Sequence, residues 1–135
     1  MPRKRPPRIE SSGQIAMPYR PEEPESSVQA SILRVLNMLG DVEAHRNNTG
    51  VHRAGRRYIP YGLGGKGGTD IIAFVRVRGF AVVVAIETKR HGKDATDDQR
   101  KWMRERERYG VITGTCTTVQ QALALIDEAR KRARA

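Results

Sequence analysis

At 135 residues the chain has the length of one ordinary domain, enough for a modest core and too short for two independent ones. Lys and Arg outnumber Asp and Glu by 25 to 15, a formal charge of +10 that attracts polyanions and points to a nucleic-acid partner before an anionic membrane surface. No segment approaches the roughly 20 apolar residues of a membrane span, the N-terminus lacks the apolar core of a secretion signal, and the lone Cys116 excludes an intrachain disulfide and a multi-cysteine zinc site, so a soluble intracellular protein is expected.

Residues 1–24 hold six of the seven prolines and the cluster Arg3, Lys4, Arg5 and Arg8, a composition that predicts a disordered basic arm. A helix is predicted from Glu25 to Leu39, where Val28, Ile32, Val35, Leu36 and Leu39 recur at helical spacing and Gly40 supplies a stop. Val42 to Asn47 reads as a short strand, and Asn47 through Tyr61 as a polar, basic loop rich in turn residues. The glycine-rich run Gly62 to Gly68 lacks the Gly-Lys-Ser/Thr ending and following helix of a P-loop, which argues against an NTPase.

The strongest local pattern is a hairpin, Thr69 to Val77 and Phe80 to Lys89 around Arg78-Gly79, whose second arm is apolar on both faces and therefore reads as a central strand. Thr96-Asp97-Asp98-Gln99 has the form of a capping box opening a helix to about Tyr109, with Gly110 as its stop. A strand from about Val111 to Cys116 follows, with Cys116 expected as a buried, inert thiol. A second capping box, Thr118 to Gln121, opens a last helix with Val119, Ala122, Leu123 and Ile126 on its apolar stripe. The expected domain spans residues 25–129, with a basic tail over 130–135.

A two-residue turn at Arg78-Gly79 sets Asp70 directly opposite Glu87. Period-two alternation then puts Lys89 on the same face as Glu87, with Thr88 pointing away and only its carbonyl near the site. Directly opposed residues have Cβ atoms about 5 Å apart, and two like charges about 4 Å apart repel by about 4 kcal/mol at an effective dielectric near 20. Either one carboxyl is protonated or a cation sits between the two. The plainer alternative is a pair of surface charges at a frayed strand end, with Asp70 merely closing the glycine loop. Hard divalent ions with oxygen ligands suit the pair, and Mg²⁺, with Mn²⁺ as a substitute, is commonly held by one or two carboxylates plus substrate phosphates.

Asp70, the hairpin and Glu87-Thr88-Lys89, preceded by a helix bearing Glu25 and followed by one bearing Gln99, resemble the PD-(D/E)XK nuclease superfamily, and within it the VRR-NUC family of virus-type replication and repair nucleases. The resemblance covers roughly Glu25 to Ile126, with one departure: the proline that often precedes the aspartate is Thr69 here. It implies an α/β, restriction-endonuclease-like core with a mixed central sheet flanked by helices. It further implies that Asp70, Glu87 and the Thr88 carbonyl bind the metal while Lys89 orients the attacking water. Glu25 would join through water or as an extra ligand, or else favours the positive end of its helix. Gln99 would lie near the site or act only as a cap.

The expected reaction is hydrolysis of a DNA strand to a 5′-phosphate and a 3′-hydroxyl. Family kinship includes enzymes acting on branched DNA such as four-way junctions, a symmetric substrate that would suit a homodimer. Arg46, Asn48, Arg53, Arg56, Arg57, Tyr58 and Lys66 are candidates for phosphate and base contacts, and Arg90, His91 and Lys93 for tracking the backbone beyond the active strand. His45, His52 and His91 have no metal-ligand spacing. The rival from another class is a noncatalytic DNA-binding accessory protein of the same fold. An acidic pair beside Lys89 distinguishes the two, because a protein that only grips phosphates gains nothing from carboxylates facing them.

Overall fold

The computed structural model describes residues 24–132. The arm expected over residues 1–24 lies outside that range except for Pro24, which is the N-cap residue of the first helix. In chain order the elements are α1 (Glu25–Asn37), β1 (Val42–Arg46), β2 (Gly50–Ala54), β3 (Arg57–Tyr61), β4 (Ile71–Val77), β5 (Phe80–Thr88), α2 (Asp97–Glu107), β6 (Ile112–Cys116) and α3 (Val119–Arg132). Four strands form one sheet in the order β1-β4-β5-β6. β1, β4 and β5 run antiparallel to their neighbours and β6 runs parallel to β5, which makes the sheet mixed.

The β4–β5 hairpin sets the register of the sheet. Arg78 (φ 51°) and Gly79 (φ 84°) both adopt positive φ, as a two-residue turn matched to strand twist demands. From that turn the pairing runs without a bulge from Val77↔Phe80 to Ile71↔Ile86. Odd residues of β4 and even residues of β5 then face one way, where Ile71, Val75, Val84 and Ile86 join Val28, Ile32 and Leu36 of α1 and Ala122, Ile126 and Ala129 of α3 in the main core. The opposite face carries a smaller cluster, in which Ile72 and Ala85 pack with Ala95 and with Trp102 and Met103 of α2. The sheet is thus covered by two helices on one side and one on the other.

Two expectations are corrected. Residues 47–61, read as a loop, contain the β2–β3 hairpin, a ribbon that pairs only with itself. Every residue from Val51 to Tyr61 is exposed, so no burial imposed the apolar alternation by which strands are read. The expected tail also begins too early, since α3 continues to Arg132. Arg130 Nε and Nη2 each donate to the Asp41 carboxylate at 2.8 Å, a forked ion pair that ties the end of α3 to the approach of β1 and holds the Asp41 carboxyl below its usual range. Cys116 is buried as expected, and burial pushes its thiol pKa up to about 11. Among the described residues no helix is long and apolar enough to cross a membrane.

Substitution of Ile126, which is fully buried between α3 and the sheet, by alanine is expected to lower unfolding free energy by about 2–5 kcal/mol. Phe80→Ala, at a side chain 77% exposed beside the turn, is expected to change it by less than about 1 kcal/mol. Denaturant titration of the two variants checks both figures.

Candidate metal centre

The two central strands end together, and their register carries one residue beyond β4 to set Asp70 opposite Glu87. One carboxylate oxygen from each of Glu25, Asp70 and Glu87 lies within 4.8 Å of the other two. Glu25 arrives from the first turn of α1, the helix that packs its Val28, Ile32 and Leu36 on the face of the sheet. Three acidic side chains separated by up to 62 residues in sequence therefore meet at one point, with Lys89 beside them: its Nζ lies 3.3 Å from Glu87 Oε1.

Glu87 is 1% exposed. Its Oε1 accepts a hydrogen bond of 2.6 Å from Gln99 Nε2, but its Oε2 is buried with no hydrogen-bond partner. Burial raises the carboxyl pKa from 4.5 to about 7, with the Asp70 charge adding to the rise, Lys89 opposing it and Glu25 adding a smaller increment. An unpartnered buried carboxylate oxygen is costly to leave so. A proton or a cation at that oxygen relieves the cost, and three carboxylates are the hard donor set that suits Mg²⁺ or Mn²⁺.

Asp70 is held in a different way from the one expected. Alternation along the strand predicts a Thr88 side chain pointing away from the site, yet its N–H and its Oγ1 both donate to Asp70 Oδ2, at 2.9 and 2.8 Å. Asp70 lies past the last paired residue of β4, so its side chain is free to fold across the strand end toward Thr88 instead of standing on the sheet face. One carboxylate oxygen is thereby anchored, leaving Oδ1 outside those bonds and the carboxylate fixed in orientation. Its carbonyl accepts from Asn47 N at 2.7 Å and from Gln29 Nε2 at 3.4 Å.

The two readings of Gln99 prove compatible. Its Oε1 accepts from Thr96 N and its N–H donates to Thr96 Oγ1, completing the capping box of α2, while Nε2 reaches Glu87. The amide uses its two ends for two tasks. Arg90 and Lys93 line a cavity with Glu25 and Lys89, so these two expected DNA-binding residues adjoin the acidic cluster. Lys66 pairs with the first turn of α2, its Nζ 3.3 Å from the Asp98 carboxylate. Arg53, Arg56 and Arg57 sit on the β2–β3 ribbon and take no part in the cluster's hydrogen bonds.

Sequence reasoning missed three contributors. Gln29 follows Glu25 by one helical turn, and that spacing could have found it. Asn47 closes the glycine loop: its Nδ2 donates to the carbonyls of Leu63 and Thr69, and its Oδ1 accepts from Leu63 N, each at 2.9 Å. Trp102 carries the loop from below, packed so close that a Cβ on Gly64 would fall 1.8 Å from Nε1. Neither long-range role has a local sequence signature.

Comparison of the chain with protein-family models, with curated proteins and with solved structures yields no significant match.

Because the fold raises the Glu87 pKa, the folded chain holds a proton that the unfolded chain has released between pH 4.5 and about 7. The contribution of Glu87 to the stability of the metal-free protein is therefore most favourable below that window and falls as pH rises through it, by roughly 3 kcal/mol at most. Glu87→Gln is expected to remove this component of the slope, so that in EDTA the variant gains on the wild type with rising pH. Denaturation midpoints at about pH 5 and 8 check the difference.

Proposed function

We propose that the protein is a divalent-metal-dependent nuclease that hydrolyses a phosphodiester bond of DNA. The observation that carries the reading is the buried, unpartnered Oε2 of Glu87, within a cluster completed by Asp70 and Glu25 and flanked by Lys89. A merely structural sheet end has no use for three converging carboxylates, and a protein that only binds nucleic acid would be repelled by them. The run of α1, β1, β4, β5, α2 and β6, with the ribbon as an insertion, supports a restriction-endonuclease-like core, in keeping with the resemblance to VRR-NUC nucleases.

In this reading Asp70, Glu87 and Glu25 hold Mg²⁺, with the Thr88 carbonyl as a further oxygen donor. Held by these oxygens, such an ion would supply neutralisation of phosphate charge and a lowered pKa for a nearby water. Thr88, through its N–H and hydroxyl, keeps the Asp70 carboxylate turned so that one oxygen remains available. Gln99 does the same for Glu87 from the N-terminus of α2. Lys89, whose side chain is 14% exposed, donates from Nζ to the attacking water and holds the water's lone pair toward phosphorus. A new bond forms between that water oxygen and phosphorus as the water releases one proton to solvent, and the bond from phosphorus to the 3′ oxygen breaks as that oxygen takes up a proton from solvent, leaving a 5′-phosphate and a 3′-hydroxyl. Arg90 and Lys93 are suited to the flanking phosphates.

Labelled DNA is expected to be cut in Mg²⁺ or Mn²⁺ and left intact in EDTA, with Asp70→Ala and Lys89→Ala each reducing cleavage by at least about 10²-fold while folding and DNA binding persist. Wild-type protein that binds DNA and cuts none with either metal would instead establish the noncatalytic accessory reading. Thr96→Ala and Gln99→Ala are both expected to cost about 1 kcal/mol of stability through the lost cap. Only Gln99→Ala should also depress cleavage, a split that a denaturant melt and a rate assay on the same samples resolve.

A further inference from the structure

The β2–β3 ribbon is not accounted for by the core or by the acidic cluster. A two-stranded hairpin alone is marginal in water, and this one buries none of the residues from Val51 to Tyr61. Its charge is one-sided. Residues 44–69 include Arg46, Arg53, Arg56, Arg57 and Lys66 and not one Asp or Glu, in a chain that has 15 acidic residues elsewhere.

The register distributes that charge around the ribbon. Arg53 lies opposite Tyr58 on one face, Arg57 opposite Ala54 on the other, and Arg56 occupies the turn at the tip beside Gly55 (φ 63°). An element lying flat on a phosphate surface needs cations on one face only. Cations on both faces and the tip fit an element inserted between two phosphate walls. Strands of five residues, at about 3.4 Å per residue, give a ribbon about 17 Å long. The DNA major groove, about 12 Å wide and about 8.5 Å deep, admits a two-stranded ribbon of that kind. At the ribbon's root a polar groove of ≈ 370 Å³, lined by Gln29, Arg46, Asn48, Thr49, Tyr61 and Asp70, joins the ribbon to the Asp70 side of the acidic cluster.

We infer that the β2–β3 ribbon enters the major groove of a duplex arm adjoining the phosphate at Asp70, so that the substrate carries double-stranded DNA on the ribbon side of the cut. The assignment rests on the nuclease reading for the position of the cut and on the ribbon's own charge and shape for the duplex. Arg53, Arg56 and Arg57 contact phosphates on both walls of the groove. Tyr58, 68% exposed, shares the face of Arg53, and Ile59, 50% exposed, shares the face of Arg57, so each adds apolar surface along one side of the inserted ribbon while the tip at Arg56 meets the groove floor. The groove leading to Asp70 carries the strand from the duplex into the metal centre.

The test is equilibrium binding in EDTA, where cleavage plays no part, of a DNA duplex, a DNA single strand and an RNA duplex of equal length across a salt series. The full-length wild type is compared with Arg53→Ala/Arg56→Ala/Arg57→Ala and with the single tip variant Arg56→Glu, each first checked for an unchanged thermal midpoint. For the DNA duplex, the triple variant is expected to bind at least about tenfold more weakly, and the slope of log affinity on log salt is expected to fall by about 2.7, at roughly 0.9 per phosphate contact. Single-strand binding should change little, and RNA duplex little, because its major groove is too narrow to read. Methylation at guanine N7 in the duplex should weaken wild-type binding and leave the variants unaffected. Equal losses on all three nucleic acids, or no loss on the DNA duplex, would overturn the groove assignment. Because no metal is present, a protein that binds in this way and never cuts would sink the nuclease reading alone.

Discussion

The pairing of β4 with β5 runs unbroken from the Arg78-Gly79 turn to the far end of the sheet, and the chemistry there inherits that regularity. Side chains alternate across a strand, so a slip of one residue would carry Glu87 and Lys89 to the face packed by α1 and α3 and bring Ile86 out of the core. Ile71 and Ile86, both fully buried and directly paired, hold the register immediately before the acidic residues begin. Apolar packing thus positions the carboxylates, although none of the packed atoms belongs to the site. The cost of slippage is borne by the whole core, which gives the charged end of the hairpin a precision that exposed charges alone would lack.

Holding Glu87 in that place opposes its own solvation. A carboxylate 1% exposed beside two others is unfavourable as an anion. Two groups reduce the penalty, Lys89 from the same strand and Gln99 from α2. Gln99 can reach because the capping box fixes the first turn of α2 against Thr96, so the amide that orients Glu87 is itself oriented by the helix start. Asp70 is secured by a separate pair of donors on Thr88. Each of these two acids is tethered through one oxygen, which leaves Glu87 Oε2 buried without a partner. The arrangement resembles a ligand set held from behind, in which the orienting partners set geometry as firmly as the ligands do.

Much of this was legible in sequence because the core imposes patterns. Burial of both faces made β5 a continuous apolar run, and burial of one stripe gave α1 and α3 their helical spacing. The constant register of a tight hairpin turns spacing into spatial opposition, so the sequence itself pairs Asp70 with Glu87. The direction of the Thr88 side chain is not set in this way. Alternation governs residues inside a ladder, and Asp70 stands just outside it, where its carboxylate turns toward the neighbouring strand. Asn47 and Trp102 act on a loop more than fifteen residues away in one case and across the sheet face in the other, contacts that no local pattern encodes.

The two hairpins of this chain illustrate the same limit from opposite sides. β4–β5 is readable because its residues answer to a core, and β2–β3 is unreadable as strand because its residues answer to nothing within the described part of the protein. A segment freed from burial keeps any residue that solvent tolerates, so its composition is set by other demands. In the ribbon that composition is three arginines without a carboxylate, arranged on both faces and the tip. The acidic cluster has the reverse character, negative charge that runs from Glu25 through half-buried Asp70 to buried Glu87. On the proposed reading, a polyanion would be attracted by the first and tolerated by the second only with a cation between, so that the two regions would divide binding from chemistry across the groove that touches both Tyr61 and Asp70.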